Sequence, residues 1–253
     1  MLYKFSNKSQ DKFEINFFNK KAWFLGLFLF GSYFLQTLGL DYTTPSNAAF
    51  ITSLSVILVP LVLVLKGKKL TKLNVLSFTL ATIGLAFLTI EFSTFHLNPG
   101  DVIILGTAIC LAIQITYTDQ YVKEYQAIDL ILGQLLCTTL LSFLTALVFE
   151  FKDFKLIQSL PVSVLFALVL TGGLATVYAY VVQTYSQKTV NPILIAIIFT
   201  FEPIFALLLS LWMGEENLTL IRVVGMILIL SATAIAIIQE NRMQLNTELK
   251  QIT

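Results

Sequence analysis

The chain has 253 residues, of which 57% are hydrophobic and 12% charged, with a net charge of +1 and a mean hydropathy of +0.82. That balance excludes an ordinary soluble globular domain and supplies no basic surface for nucleic acid. A chain embedded in a lipid bilayer is expected, with no nucleic-acid partner.

In chain order, the first 21 residues, "MLYKFSNKSQDKFEINFFNKK", are polar and charged. They lack the unbroken apolar core of a signal peptide and are expected to form a cytosolic tail, 1–21. Apolar runs follow at Ala22–Leu40, Ala48–Leu65, Leu73–Ile90, Val102–Thr118, Leu130–Phe149, Val162–Val182, Ile193–Met213 and Leu220–Ile238, with a second cytosolic tail at 241–253. Each approaches the roughly 20 residues a helix needs to cross a bilayer core. The joining segments are short and show none of the alternation of barrel strands, so the expected fold class is all-α, a polytopic membrane helical bundle of about eight transmembrane helices. Cys110 and Cys137 fall inside these runs with no CxxC spacing and read as buried thiols.

Eight crossings put both termini on one side. With that side taken alternately, it receives thirteen of the lysines and arginines, and the other side receives Lys152, Lys155 and Arg222. The positive-inside rule then makes both termini cytosolic.

Tyr33, Gln36, Thr37, Pro45 and Gly67 recur 147 residues later as Tyr180, Gln183, Thr184, Pro192 and Gly214. The offset runs from the first apolar run to the sixth, an odd number of crossings, so the two copies point in opposite directions. The turns agree: "KKLT" follows Gly67 on the inner side and "EENLT" follows Gly214 on the outer. Inverted repeats of helical units are an architecture of secondary transporters, because similar halves facing opposite ways supply inward-open and outward-open states of comparable energy. The second unit, 100–240, holds five helices, whereas the first, 22–92, holds three. Two accounts of the shortfall are open: a chain truncated at its N-terminus, or an eight-helix variant for which a homodimer or a small helical partner becomes worth testing.

Glu202 is the one ionisable side chain deep within an apolar run, and an ionised carboxylate there costs about 2.5 to 3.5 kcal/mol on insertion scales. Such a residue is a candidate for exchanging protons during transport; the alternative is a protonated hinge residue bonded to a neighbouring helix. Pro203 follows it and cannot bond the carbonyl of Phe199, so a kink is expected there, with Pro60 as a second hinge candidate. Polar stripes run along the fourth helix (Gln114, Tyr117, Thr118), the fifth (Gln134, Cys137, Thr138, Ser142) and the sixth (Tyr180, Gln183, Thr184). A polar face in a bilayer turns to the bundle interior or to a wet cavity, and converging stripes favour the cavity over simple interhelical bonding. Gln36 and Asn47 lie toward the outer ends, Gln114, Gln134 and Gln183 toward the inner. Ser46, Asn47 and Asn191 can also cap the second and seventh helices. Tyr33, Tyr117 and Tyr180 either stack on an organic substrate or sit as interfacial aromatics.

A catalytic alternative is poorly supplied. His96 is the single histidine, in a loop, and no nucleophile with its base, metal-ligand set or phosphate-binding glycine loop is present. No enzyme activity, metal or cofactor is expected. A membrane scaffold without transport is the other class left.

The stretches "LQTLGLDYTTPSNAAFITSLSVILVPL" (35–61), "LGQLLCTTLLS" (132–142) and "NPILIAIIFTFEPIFALLLSLWMGEENL" (191–218) resemble the drug/metabolite transporter superfamily of the EamA type. Its members usually have ten helices as two inverted five-helix units. The sequence departs from that pattern at Gly67-Lys68, where Gly-Glu is common, and at Val56, which falls where the second unit has Pro203. The resemblance implies secondary transport of a small organic solute across the plasma (inner) membrane, often export.

Overall fold

The computed structural model describes residues 16–89, 98–149, 161–213 and 218–252. The N-terminal segment before Asn16, His96, Gly214 and the "EEN" turn lie outside the described residues. Everything described is helix or short connection, without a strand among these residues: α1 (Lys20–Leu40), α2 (Pro45–Ser53), α3 (Ser55–Leu65), α4 (Lys72–Thr89), α5 (Pro99–Tyr121), α6 (Ala127–Phe149), α7 (Val162–Val169), a π-helical stretch (Leu170–Tyr178), α8 (Ala179–Ser186), α9 (Pro192–Phe199), α10 (Phe201–Met213) and α11 (Leu220–Ile252). They compose eight spans long and apolar enough to cross a bilayer, matching the runs read from the sequence. α11 continues to Ile252, so most of the expected C-terminal tail extends the last helix. The end of the bundle where α1 begins and α11 finishes is called the inner end below.

Helix starts follow local chemistry. Thr44, with Pro45 in the first turn, accepts a bond from the Asn47 N–H, and Asn191, with Pro192, accepts from Ile193 and Leu194. The cap of the second span thus falls to Thr44, while Asn191 caps as expected. Asn98 and Asp101 form a reciprocal box over Pro99.

Two spans are interrupted at matching places. α9 stops at Thr200, whose N–H turns back to Ile197 O at 3.0 Å, and α10 resumes at Phe201. Pro203, without an N–H, accounts for the loss of regular bonding there. α2 stops at Leu54, whose N–H turns back to Ile51 O at 3.1 Å, although Val56 is no proline. Leu54 lies 147 residues before Phe201, so the break recurs at the repeat offset within one residue. Pro60 lies inside continuous α3, six residues beyond that break.

The core is built around α9. Pro192 to Ile197 are all buried, and Ile193, Ile195 and Ile197 join Val56, Val59, Ala81, Ile115 and Ala232 in the largest apolar cluster. α1 lies against α5 and α6, and α4 against α11. Contacts between helices use small residues, which let backbones approach where lipid offers no hydrophobic drive for association. A Cβ added at Gly133 would meet Ala22 Cβ at 2.5 Å, and one at Gly26 would meet Cys137 Cβ at 2.6 Å. The sixth span is different: no residue of α7 or the π-helical stretch is buried.

Candidate transport pathway

At the inner end the three predicted glutamines meet. Gln114 of α5 donates to Gln134 Oε1 of α6 at 3.2 Å, and Gln183 of α8 donates to Gln114 Oε1 at 3.1 Å. Gln187, one turn beyond Gln183, completes the chain: it accepts from Gln183 at 3.3 Å and donates to the Ile115 carbonyl at 2.8 Å. All four are buried, with Gln114, Gln134 and Gln187 fully enclosed. Thr138 donates to the carbonyls of Gly26 and Gln134, which draws α1 into the same knot. The stripes therefore close on one another here and bond three helices. Gln134 Nε2 and the hydroxyls of Thr118 and Thr184 remain buried without a bond.

Removing Gln114 leaves Gln134 and Gln183 short of partners inside the bundle, at about 1–3 kcal/mol for each unsatisfied group. Gln114→Leu is accordingly expected to lower the thermal midpoint of the detergent-solubilised protein by several degrees, followed by fluorescence-detected size exclusion after heating. An unchanged midpoint would show that these bonds contribute nothing to the closed packing.

A charged layer lies just outside this knot. Asp119, 2% exposed, is 2.7 Å from Lys123 and 3.5 Å from Lys68. Lys66 donates to Gln120 Oε1 at 2.6 Å and holds its ammonium 3.7 Å from the centre of the Tyr117 ring. Burial pulls the Lys66 ammonium below the usual lysine range, and Lys68 adds to that shift while Asp119 opposes it. The lysines are half exposed, so each pair is worth only about 0–1 kcal/mol, but the buried carboxylate depends on them. Gly67, at φ +80°, makes the turn that presents Lys66 and Lys68 to α5. Gln239 also bonds Thr71, and Asn191 bonds Glu240, so α11 is stitched to the same end. Tyr117 is thus covered by a lysine, and Phe24 packs edge-on against it at 5.2 Å.

The opposite half holds a crevice among the described residues. A crevice of about 450 Å³ lies between α1 and α6, lined by Tyr33, Thr37, Asp41, Ser142 and Thr145 with Phe30, Phe34 and Phe149 among its apolar walls. At its deeper side Tyr33 lies near Tyr180 of α8, and Glu202 bears electrostatically on Tyr180. Tyr33 and Tyr180 are the residues related by the repeat offset. Glu202 is exposed within the chain, in the first turn of α10 beyond the break at Thr200. Gln36 is half-buried next to Thr37 but is not part of the lining, and Asn47 is half-buried in the first turn of α2, away from the crevice.

Sequence reasoning did not single out Gln187, Asp119 or Asp41. Gln187 was signalled only by its i+4 spacing from Gln183, and Asp119 by the same spacing to Lys123. Among the described residues no group of three or more His, Cys, Asp or Glu side chains is arranged to hold a metal ion.

The sequence profile of the EamA-like transporter family matches residues 3–90 and 98–238. An uncharacterized transporter of Archaeoglobus fulgidus is 33% identical over 217 residues, covering 85% of this chain and 68% of the relative. The uncharacterized transporter YyaM of Bacillus subtilis is 24% identical over 220 residues, covering 81% and 68%. A crystal structure superposes with a TM-score of 0.73 at 19% identity, covering 89% of this chain and 78% of that one, and so shares the fold.

Proposed function

The chain belongs to the EamA-like transporter family and is a multi-pass membrane transporter, and we propose that it carries a small organic solute across the plasma membrane by alternating access, with both termini cytosolic and export as its direction. One observation carries this reading: among the described residues the bundle is bonded shut by the amide chain at one end and holds a crevice at the other. The conformation corresponds to an outward-facing state. Its inner gate is the amide chain of Gln114, Gln134, Gln183 and Gln187, with the Lys66–Gln120 and Lys68–Asp119–Lys123 contacts as a latch outside it.

The opposite state would open the amide chain and close Tyr33 and Thr37 over the crevice. Each glutamine bond across helices is worth roughly 0.6 kcal/mol in a membrane setting, an amount that substrate contacts can repay. The buried groups without bonds, Gln134 Nε2 and the Thr118 and Thr184 hydroxyls, can take up new partners when the chain opens. Glu202, at the break in the seventh span, is the residue through which a proton would be coupled to the cycle.

Thiol accessibility tests the gate without knowledge of the substrate. In a background lacking Cys110 and Cys137, cysteine at Thr37 is expected to react with a membrane-impermeant maleimide added outside, and cysteine at Gln187 is expected to stay protected from either side. Adding Asp119→Asn should raise labelling at position 187 from the inner side several-fold while lowering it at position 37. Simultaneous full labelling at both positions would describe a continuous pore, and the carrier reading would fail.

A further inference from the structure

We propose that the outer crevice binds an organic cation with an aromatic or apolar body, its ammonium beside Asp41 and its body against Phe30, Phe34 and Phe149. This rests on the carrier reading above and names the substrate class of that site.

Charge selects the sign. Among the described lining residues Asp41 is the one charged side chain; it is exposed, and it makes no ion pair among the described residues. It also terminates α1, where the unpaired carbonyls of the helix present partial negative charge. A cation, not a carboxylate, is what stabilises a helix at that end, so Asp41 adds to the negative potential at the mouth. Among the described lining residues there is no lysine or arginine to neutralise it.

The walls select the rest of the molecule. Phe30, Tyr33, Phe34 and Phe149 offer aromatic faces, and faces of this kind attract organic ammonium groups by about 0.5–2 kcal/mol according to desolvation. Thr37, Ser142 and Thr145 give hydroxyls on the same surface. A volume of about 450 Å³ lies within the usual range for small-ligand pockets. Inward from Asp41, Tyr33 lies eight residues along α1, about 12 Å at the helical rise. A cation released by Asp41 therefore finds aromatic rings next along the crevice.

The test uses two probes of similar size and opposite charge, phenyltrimethylammonium and benzenesulfonate, with the full chain in detergent for calorimetric binding and in proteoliposomes for counterflow. Phenyltrimethylammonium is expected to bind saturably and at least tenfold more tightly than benzenesulfonate. Asp41→Asn should weaken that binding about tenfold or more, and Asp41→Glu should restore most of it, each variant being checked as monodisperse. Equal binding of both probes, no binding of either, or cation binding indifferent to Asp41→Asn would overturn the inference. Saturable counterflow of benzenesulfonate without cation binding would overturn it too, yet leave the carrier reading standing. Asp41-dependent cation binding without counterflow of any solute would do the reverse.

Discussion

Gly225→Leu is expected to cause a large loss of stability, with little folded protein recovered after detergent extraction. A Cβ at Gly225 would lie 2.6 Å from Gly84 O, 2.9 Å from Leu88 N and 3.2 Å from Phe87 C. The reciprocal Cβ at Gly84 would lie 2.7 Å from Gly225 O and 2.9 Å from Leu228 Cβ. Most of these obstacles are backbone, so no rotamer change relieves them and α4 must move away from α11. Overpacking in a close-fitting core costs about 1–3 kcal/mol and sometimes more, and a backbone wall places this case at the upper end. In a bilayer the loss is not recovered by other means, since close packing is itself what holds helices together. Gly173→Ala is the control: its added Cβ meets nothing within 4 Å. Extraction followed by thermal unfolding should show a normal midpoint for Gly173→Ala and a collapsed yield for Gly225→Leu. Wild-type stability in Gly225→Leu would mean that α4 and α11 are not packed through these glycines.

The bundle was legible because burial in lipid leaves a coarse signature: each span needs about 20 apolar residues whatever surrounds it, and the eight described spans coincide with the eight runs. The inner knot was partly legible, since Gln114, Gln134 and Gln183 stood on stripes of helical period. Spacing alone could place them on faces, but whether those faces met as a wet cavity or as bonds depended on the angles between α5, α6 and α8. The break at Leu54 was not legible. Proline announces the corresponding break in α9 and α10, whereas "ITSLSV" carries no such mark and its interruption comes from the packing of the span. The π-helical stretch, with Gly172 and Gly173 near its start, was equally silent, because one extra residue per turn alters bonding and not composition. Asp119 was overlooked for a different reason. At the end of a helix next to lysines a carboxylate looks like surface, and only the turn at Gly67 brings Lys68 over it. The repeat offset linked Tyr33 to Tyr180 by type; their nearness depends on how α1 and α8 approach each other in space.

Glu202→Gln is expected to reduce solute flux at least tenfold and to flatten its dependence on pH. A carboxylate at mid-membrane depth is disfavoured by about 2.5 to 3.5 kcal/mol, and among the described residues no lysine or arginine forms a salt bridge with Glu202 to offset this. It lies in the first turn of α10, directly past a break where Pro203 leaves the Phe199 carbonyl without its helical bond. A residue so placed sits on the part of the span best able to change direction. It bears electrostatically on Tyr180, so a change of charge at Glu202 is felt near the deeper side of the crevice. A permanently neutral amide removes that change and keeps the size of the side chain. Tyr180→Phe is the companion variant, retaining the ring and losing the hydroxyl; a partial loss of flux with the pH profile preserved is expected. Measurements in proteoliposomes across roughly pH 5.5 to 8.5 span the range in which a carboxyl in low-dielectric surroundings can titrate. If Glu202→Gln moves solute at the wild-type rate with the wild-type pH profile, Glu202 is a hinge residue and the proton couples elsewhere or not at all. If flux falls while the pH dependence survives, Glu202 orients the pathway without carrying the proton.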